Sequence, residues 1–340
     1  MIIASDNHVL VSVGIPVRNG GDILRLALRS VMNQTYKNLQ IVISNNASDD
    51  QTEAICLEVV ASDSRIEYFK QDKVIPAIDN FRFVFEQSRG QYFMWAAHDD
   101  LRSENYIETL LAGFKKHPHA SIIASEDRFF DDSAFIFDEN KTICGVDINL
   151  CRLTRKLPTS AKANVSEVKY IDFSTASFFE RHALQAKNSC LDIYGLINSS
   201  YLTDYKWYDT GMGPDVYILH WLLCRGDFIR VKGCFFYYYV GRYLTKDSAT
   251  YNRSTFEGKY LIRHSWVCAQ SVVDAYHSQS KGIQRLFLLI RLFVIIFLSR
   301  HGGVINLIFK GFIYRNLPLS LKSAWRNLKG IFSNGKPRVI

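Results

Sequence analysis

The sequence lacks the signatures of several large protein classes. It contains no Gly-x-Gly-x-x-Gly run and no Gly-Lys-Ser/Thr triplet, which disfavours dinucleotide oxidoreductases and P-loop enzymes. The seven cysteines are scattered, odd in number and never spaced as Cys-x-x-Cys, so they indicate neither a zinc site nor a disulfide framework and suit a reducing compartment. No basic segment precedes the first apolar run at residues 9–17, so that run is interpreted as a core strand and not as a secretion signal. We therefore expect a cytoplasmic protein.

Asp and Glu are also absent from the last 60 residues. Residues 281–340 hold eleven Lys or Arg, which leaves 30 of the 41 basic residues to balance all 33 acidic ones in residues 1–280. The overall charge of +8 therefore belongs to the C-terminal segment, and the rest of the chain is mildly acidic. Because a nucleic-acid-binding enzyme concentrates basic residues around its active site, we expect no nucleic acid partner.

The first 130 residues alternate between two hydrophobic periods. With 340 residues, 48% of them hydrophobic, the chain can form one large domain or two closely packed ones. Short apolar runs typical of buried strands alternate with segments of helical period, which predicts an α/β fold with right-handed crossovers. The predicted strands are Val9–Val17, Leu39–Asn45, Ile66–Lys70, Tyr92–Ala97 and Ala120–Ser125, and the predicted helices are Asp22–Asn33, Asp50–Ala61, Ile78–Ser88 and Asn105–His117.

Beyond residue 130 the pattern is less regular. Residues 129–168 mix polar and apolar positions, and we expect loops and short strands there. Periodicity returns at Phe173–Ala186 and Leu191–Leu202, followed by a helix near Val216–Cys224, a strand-rich stretch at Phe228–Val240 and a helix at about Phe256–His277.

Asp99 and Asp100 directly follow the apolar run Tyr92–Ala97. Two adjacent carboxylates at the end of a buried strand are costly unless a cation or a ligand compensates their charge. In open α/β sheets, ligands bind at the carboxyl ends of the strands, where such carboxylates can hold a divalent ion against a phosphorylated ligand. A helix N-cap is the alternative role for this pair, and it stays open on these residues alone.

Polar turns follow the first two predicted strands. The segment Pro16-Val17-Arg18-Asn19 occupies the place where α/β proteins usually position a nucleotide-binding turn. The segment Ser44-Asn45-Asn46-Ala47-Ser48-Asp49 carries amides and hydroxyls that suit a base edge and a ribose, with a simple capped turn as the alternative.

Five segments together resemble, in order and spacing, a family 2 glycosyltransferase of the GT-A fold. They are Ile15–Asn19, Leu28–Tyr36, Ile41–Asp49, Arg89–Tyr92 and His98–Asp100, and they cover the first 120 residues. The resemblance implies a Rossmann-like, doubly wound mixed sheet. It also implies a nucleotide-sugar-binding half at residues 1–130, an acceptor-binding half at 131–245, and a helical, basic, amphipathic extension at 246–340.

The resemblance also assigns roles to individual residues. Asp99 and Asp100 fall on the acidic motif that holds Mn²⁺ or Mg²⁺, although the first Asp of the usual Asp-x-Asp-Asp pattern is Ala97 here. Asn45 stands where a uracil-reading Asp is usual, so uridine and thymidine both stay open. The donor-contacting residues are predicted to be Pro16, Val17, Arg18, Asn19, Asn45, Asn46, Ser48, Arg89, His98, Asp99 and Arg242.

Asp215 is the predicted catalytic base. It lies in Gly211-Met-Gly-Pro-Asp215, which resembles the acidic motif that opens a helix beside the acceptor site, with Pro214 in place of the first acid. An ordinary first-turn Asp favoured by the helix dipole is the alternative. The resemblance implies an inverting hexosyl- or N-acetylhexosaminyltransferase that uses a nucleotide sugar, and UDP is the favoured nucleotide. Its expected acceptor is a glycan or lipid-linked glycan of surface polysaccharide biosynthesis. A catalytically inert binding module and a sugar-1-phosphate nucleotidyltransferase are the alternatives.

Two apolar stretches near the C-terminus are interrupted by basic residues. Leu286–Leu298 contains Arg291 as its one charged residue, and Val304–Tyr314 contains Lys310. Each stretch is shorter than the roughly 20 residues that a membrane-spanning helix needs. We therefore expect a basic amphipathic segment that lies on the inner face of the cell membrane, with packing on the catalytic domain or a homodimer contact as the alternative.

Overall fold

Ten strands and eight helices make up the part of the chain that the computed structural model describes, which is residues 9–151, 173, 176–186, 190–208, 214–241, 258–276 and 283–308. The strands are β1 Val11–Val17, β2 Leu39–Asn45, β3 Ile66–Lys70, β4 Tyr92–Trp95, β5 Leu101–Arg102, β6 Ala120–Phe130, β7 Phe135–Phe137, β8 Ile143–Val146, β9 Leu196–Asn198 and β10 Asp227–Tyr239. The helices are α1 Ile23–Met32, α2 Thr52–Ser62, α3 Ala77–Glu86, α4 Tyr106–Lys116, α5 Phe178–Gln185, α6 Pro214–Leu222, α7 Gly258–Tyr276 and α8 Ile283–Ile308.

Eight of the strands form one mixed sheet in the order β3-β2-β1-β4-β9-β6-β10-β5. Strands β1 to β4 pair in parallel, as the βα alternation predicts. Strand β9 lies antiparallel between β4 and β6, and β5 is antiparallel to β10. The chain moves outward from β1 in both directions, to β2 on one side and β4 on the other, which creates a topological switch point at the carboxyl ends of β1 and β4.

Apolar side chains cover both faces of this sheet. On one face, β1 residues such as Val13 and Ile15 pack with α1, α2 and α4. On the other face, Phe93 and Trp95 of β4 pack with α3 and α6. Every residue of β1 and β2 is buried, because helices cover both faces of the sheet at these strands.

The periodic segment Leu191–Leu202 does not form a continuous helix. It forms a 3-10 turn at Leu191–Tyr194, then β9, then a second 3-10 turn at Ser199–Tyr201. Gly195 lies so close to β6 that a Cβ atom there would be 2.5 Å from the main-chain oxygen of Ile123. Pairing of β9 with β4 and β6 therefore overrides the local pattern.

The C-terminal helices α7 and α8 share a core with α6. Cys268 and Val272 of α7 and Leu292 and Ile296 of α8 are fully buried in this second core. Helices α7 and α8 thus complete the apolar layer beside α6, and the domain division at 245/246 stays a prediction. The described helix α8 contains the predicted stretch Leu286–Leu298, while most of Val304–Tyr314 lies outside the described residues.

A buried carboxylate joins α7 to two other segments. Asp274 of α7 accepts hydrogen bonds from the Tyr208 hydroxyl and from Nη2 of Arg285 in α8. Nζ of Lys206 lies 3.3 Å from Oδ2 of the same carboxylate. Through Asp274, the loop that precedes α6 is thus connected to the start of α8. Within the described ranges, no helix is both long enough and apolar enough to cross a membrane.

Candidate active site

A cavity of about 270 Å³ opens at the switch point of the sheet, beside the carboxyl ends of β1 and β4. This is the edge where α/β proteins bind ligands. Six of the predicted site residues line the cavity, namely Pro16, Val17, Arg18, Asn46, His98 and Asp99. Arg18 is exposed, and it is the arginine among the described residues that line the cavity.

The turns after β1 and β2 are fastened to each other by hydrogen bonds. The Asn19 amide donates to Oγ of Ser48 at 3.0 Å, and the Asp49 amide donates to Oδ1 of Asn19 at 3.2 Å. The Gly20 amide donates to Oγ1 of Thr52 at 2.8 Å. Asn19 and Ser48 therefore hold the shape of the cavity wall, and neither is among the residues that line it.

Both turns contain a residue with a left-handed backbone. Asn19 has φ of 50° and Ala47 has φ of 47°. Asn adopts this region readily, but an alanine there is strained by about 1–2 kcal/mol because its Cβ approaches the following carbonyl. The hydrogen bonds between the turns offset this strain and keep the backbone of residues 17–19 beside the cavity.

Asn45 and Asn46 use their amides inside the protein. Nδ2 of Asn45 donates to the Tyr68 hydroxyl at 2.9 Å, and its Oδ1 accepts from the Ser48 amide at 3.0 Å. Asn46 pairs with both main-chain groups of Ile75, at 2.9 and 2.8 Å. Asn45 is fully buried, does not line the cavity and holds the turn with its amide, while its contact with the base stays a prediction. Asn46 lines the cavity and fixes the loop before α3.

The two carboxylates after β4 have different surroundings. Asp99 lines the cavity, whereas Asp100 is 1% exposed and its Oδ1 accepts a hydrogen bond of 2.9 Å from the Tyr239 amide of β10. Burial lowers the pKa of Arg102, and Asp100 counters that shift with its negative charge. Asp100 therefore fastens β10 and balances a buried cation. That both carboxylates hold a metal stays a prediction, and Asp99 is the one of the two that lines the cavity.

The donor set fits a divalent cation that a bound diphosphate helps to hold. No group of three or more His, Cys, Asp or Glu side chains within the described residues converges on one point. Mg²⁺ commonly binds one or two carboxylates and completes its coordination with phosphate oxygens and water. Asp99 can provide such a carboxylate at the cavity, with His98 beside it.

Asp215 and the acidic pair approach the same tyrosine from different elements. Asp215 is the second residue of α6, and Tyr194 ends the 3-10 turn before β9 and lines the cavity. Burial raises the pKa of Tyr194 well above its usual 10, and the negative charges of Asp100, Asp215 and Asp99 raise it further. The charges of three carboxylates from two parts of the chain thus act on one phenol, and the turn that carries it contacts both β4 and α6.

A buried ion network supports the turn that carries Tyr194. Arg230 of β10 forms ion pairs with Asp192, two residues before Tyr194, and with Asp127 of β6 at 3.2 Å. The pKa of Asp127 is raised to about 6. Burial is the largest cause of this rise and the charge of Asp192 adds to it, whereas Arg230 opposes it. The Tyr106 hydroxyl donates to the main-chain oxygen of Tyr194 at 3.1 Å. These contacts fix the turn between β6 and β10.

Arg89 lies at the opposite edge of the sheet from the cavity. Its amide donates to Oε1 of Gln40 at 2.8 Å and to Oγ of Ser12 at 3.2 Å, near the amino ends of β2 and β1. Its guanidinium forms an ion pair with Glu67. A strand rises about 3.3 Å per residue, so the length of β1 separates Arg89 from the cavity. The structure thus places Arg89 away from the cavity, its contact with the donor stays a prediction, and Arg242 lies outside the described residues.

Five lining residues were not among the predicted site residues, and one of them, Ala97, lies directly before the predicted His98 and Asp99. Ala77, Asn80 and Phe81 come from the first turns of α3, and Tyr194 comes from the segment before β9. Asn80 left a signal in the sequence, because a polar residue on the apolar face of a helix usually has a buried partner. Its amide exchanges hydrogen bonds with the hydroxyl and carbonyl of Ser44.

The sequence matches a known family over slightly more than half of its length. Residues 12–185 match the family described as Glycosyl transferase family 2. This chain therefore belongs to glycosyl transferase family 2. The matched range contains β1 to β8 and the residues of the turns after β1, β2 and β4.

Individual relatives match over shorter stretches. An uncharacterized glycosyltransferase of Rickettsia typhi is 38% identical over 99 residues, which are 29% of this chain and 30% of that protein. The glycosyltransferase GlyA of Streptococcus pneumoniae is 32% identical over 128 residues, which are 37% of this chain and 18% of that protein. The matches thus cover less than a third of either relative's length.

Crystal structures of TarS from S. aureus share the fold. TarS 1–349 in complex with UDP-GlcNAc superposes with a TM-score of 0.57 at 13% identity, over 93% of this chain and 78% of that chain. The complex of TarS 1–349 with UDP gives a TM-score of 0.55 at 12% identity. The mixed sheet and its helices therefore form the GT-A fold that the resemblance of the sequence implied.

Proposed function

We propose that this chain is an inverting glycosyltransferase that moves a sugar from a UDP-sugar to a hydroxyl group of a glycan or lipid-linked glycan acceptor in surface polysaccharide biosynthesis. The observation that carries the proposal is the cavity at the switch point, where Arg18, Asp99 and Tyr194 come together with Asp215 nearby. A family 2 sequence and a fold shared with UDP-bound TarS support the choice of a nucleotide-sugar donor.

Each charged residue has a role in this reaction. Arg18 binds the diphosphate, because a guanidinium suits phosphate oxygens. Asp99 holds Mn²⁺ or Mg²⁺, which when bound neutralises the departing diphosphate. Asp215 accepts the proton of the attacking acceptor hydroxyl. The C–O bond to the nucleotide breaks as the new glycosidic bond forms from the opposite face, so the anomeric configuration inverts and no enzyme nucleophile is needed.

A donor assay with the full chain tests the proposal. The wild type is expected to bind UDP-sugars and to hydrolyse one of them slowly in the presence of Mn²⁺. Asp215→Asn should bind the donor with unchanged affinity and lose at least about 100-fold of the turnover, because general-base catalysis typically contributes 10²–10⁴-fold. Asp204→Asn, an exposed acid of the loop before α6, is the control and should keep full activity.

The outcomes separate this function from its alternatives. Donor binding without turnover by the wild type, with a panel of glycan acceptors present, would indicate an inert binding module. Turnover of a sugar 1-phosphate and UTP to UDP-sugar and pyrophosphate would indicate a nucleotidyltransferase. Equal turnover by Asp215→Asn and the wild type would exclude Asp215 as the base.

We also propose that α8 contacts the inner face of the cell membrane. One side of α8 is apolar and exposed, with Phe287 at 69% exposure and Leu286, Ile290 and Val294 on the same face. Leu292 and Ile296 on the other side are buried. The eleven basic and zero acidic residues of the segment 281–340 favour an anionic bilayer, at about 1 kcal/mol per basic residue near the surface, and disfavour a second copy of the same positive segment.

Vesicle flotation tests this contact. The wild type should float with vesicles that contain phosphatidylglycerol and less with pure phosphatidylcholine, and Phe287→Asp should float less in both cases. Leu57→Asp on α2 is the matched control, because Leu57 is 52% exposed on a different surface. Unchanged flotation of Phe287→Asp together with a change from dimer to monomer would indicate a homodimer contact instead.

A further inference from the structure

We propose that the hydroxyl of Tyr194 binds the sugar that is transferred and thereby selects which UDP-sugar the protein accepts. This inference rests on the proposed function. Tyr194 belongs to none of the motifs that define the donor site in the sequence, yet it lines the cavity together with His98 and Asp99. Its position therefore brings a side chain from the second half of the chain into the donor site.

The surroundings of Tyr194 place its phenol near the reacting carbon. Asp99 and Asp100 follow β4 on the side assigned to the diphosphate, and Asp215 begins α6 on the side assigned to the acceptor. The turn that ends in Tyr194 contacts both β4 and α6, and Tyr194 lines the cavity beside Asp99. In an inverting displacement, the leaving group and the attacking hydroxyl lie on opposite sides of the anomeric carbon, so a group between these two sites faces the sugar ring.

The phenol ring is held in one orientation. It stacks on Phe236 of β10 with ring centroids 5.2 Å apart and an interplanar angle of 24°. The turn that carries it is tied through Asp192 to Arg230, and Gly195 allows this turn to contact β6 directly. A ring that is already ordered loses little freedom when a ligand binds, which makes its hydrogen bond selective.

The chemistry of a phenol suits a sugar hydroxyl or acetamido group. A tyrosine hydroxyl both donates and accepts a hydrogen bond, and sugars of nucleotide donors differ in the orientation of single hydroxyls or in an acetamido group. Sites that hydrogen-bond a substrate hydroxyl discriminate strongly against analogues that lack it, because a buried polar group is then left without its partner. The diphosphate and base contacts provide no such discrimination, since all UDP-sugars share them.

The experiment compares UDP with UDP-sugars in binding to the full chain. Dissociation constants for UDP, UDP-glucose, UDP-galactose, UDP-GlcNAc and UDP-GalNAc are measured by calorimetry with Mn²⁺ for the wild type and Tyr194→Phe. We expect the UDP affinity to change by less than about twofold and the affinity for the preferred UDP-sugar to fall about tenfold, as for one lost hydrogen bond in a desolvated site. The affinities of Tyr194→Phe for the four UDP-sugars should therefore differ less from one another than those of the wild type.

Controls separate this role from a purely structural one. Tyr194→Phe keeps the ring that stacks on Phe236, so its melting temperature should match that of the wild type. Tyr36→Phe is the matched control, because the Tyr36 hydroxyl donates to the carbonyl of Val9 near the amino end of β1, away from the cavity. It should leave all five dissociation constants unchanged.

Two results would overturn the assignment. If Tyr194→Phe weakens the binding of UDP as much as that of the UDP-sugars, the substitution affects the cavity in general and Tyr194 does not contact the sugar specifically. An unchanged ranking and spread of the four UDP-sugars would remove Tyr194 from sugar selection while leaving the proposed function intact. Failure of the wild type to bind any of the five nucleotides would instead contradict the proposed function, and this assignment with it.

Discussion

The main-chain amide of Asn19 donates a hydrogen bond to Oγ of Ser48 at 3.0 Å and thereby joins the turns that follow two neighbouring strands. Asn19 and Ala47 both have left-handed backbones, so each turn needs the other to keep its shape. The joined turns support residues 16–18, which form one wall of the cavity. We therefore expect the hydroxyl of Ser48 to maintain the shape of the cavity wall without lining the cavity.

Ser48→Ala is expected to weaken donor binding and to destabilise the protein slightly. Removal of one hydrogen-bond acceptor costs about 1 kcal/mol of unfolding free energy, and a looser turn should raise the dissociation constant of UDP about fivefold. Calorimetry and urea unfolding measure the two effects. The control is Ser62→Ala at the end of α2, whose Oγ donates to the carbonyl of Val59. Unchanged UDP binding by Ser48→Ala would show that the turns do not need each other.

Asp99→Ala is expected to change the response of UDP binding to Mn²⁺, whereas Asp100→Ala is expected to change the stability of the fold. Asp99→Ala should melt like the wild type and lose the increase in UDP affinity that Mn²⁺ produces. Asp100→Ala removes the acceptor of the Tyr239 amide, and we expect it to lose about 2 kcal/mol of stability and to keep its response to Mn²⁺. UDP titrations with and without Mn²⁺, combined with thermal melts, distinguish the two. Loss of the Mn²⁺ response in both variants at unchanged stability would identify Asp100 as a metal ligand too.

Arg18 and Arg89 provide a matched pair of arginines at opposite edges of the sheet. Arg18→Ala should weaken UDP binding about tenfold, because a charge-assisted bond to phosphate is lost. Arg89→Ala should change it by less than about twofold, since the ion pair of Arg89 with Glu67 lies far from the cavity. If Arg89→Ala weakens UDP binding as much as Arg18→Ala does, the placement of the donor at this cavity is incorrect.

His182 is expected to make the protein less stable in acid. Burial lowers the pKa of His182 to about 3 from its usual 6.5, and Nδ1 of His220 lies 3.0 Å from its Nδ1. Between pH 6.5 and 3 the unfolded chain therefore binds a proton at this position that the folded chain does not. The stability that neutral His182 contributes is present above pH 6.5 and falls as the pH drops, by up to about 1.4 kcal/mol per unit.

Urea unfolding between pH 4.5 and 7.5 checks this dependence. His182→Asn should have a shallower loss of stability toward acid than the wild type, whatever its stability at pH 7.5. His117→Asn, at an exposed histidine, is the control and should follow the wild-type curve. Identical slopes for His182→Asn and the wild type would contradict a buried neutral imidazole at this position.

The elements of the first 120 residues could be predicted to within a few residues because local and tertiary preferences agree there. The predicted helix Asp50–Ala61 corresponds to α2 at Thr52–Ser62, and the predicted strand Leu39–Asn45 is β2. Strand β2 is buried along its whole length, and α2 buries Ile55, Cys56 and Val59. Strand β6 extends five residues beyond its predicted end at Ser125, because the long partner β10 pairs along it.

The candidate site was predictable where it depends on strand ends and unpredictable where it depends on distant segments. Residues 16–18 and 98–99 reach the cavity because they lie at or just after the carboxyl ends of β1 and β4. Asn45 has the right chemistry for a base, but its amide bonds to Tyr68, a residue of the neighbouring strand. Tyr194 reaches the cavity because β9 pairs with strands that are distant in the sequence. The residues around Tyr194 therefore do not predict its position at the cavity.

The Asp274 carboxylate makes α7 and α8 inseparable from the loop that precedes Asp215. A chain shortened before α8 would keep this buried charge and lose Arg285, one of its two cationic neighbours. We therefore expect that replacing α7 and α8 by the corresponding helices of a related protein would destabilise the fold unless the loop before α6 is replaced with them. A change in the loop around Tyr208 and a change at the start of α8 must be compatible with each other, because both segments contact the Asp274 carboxylate.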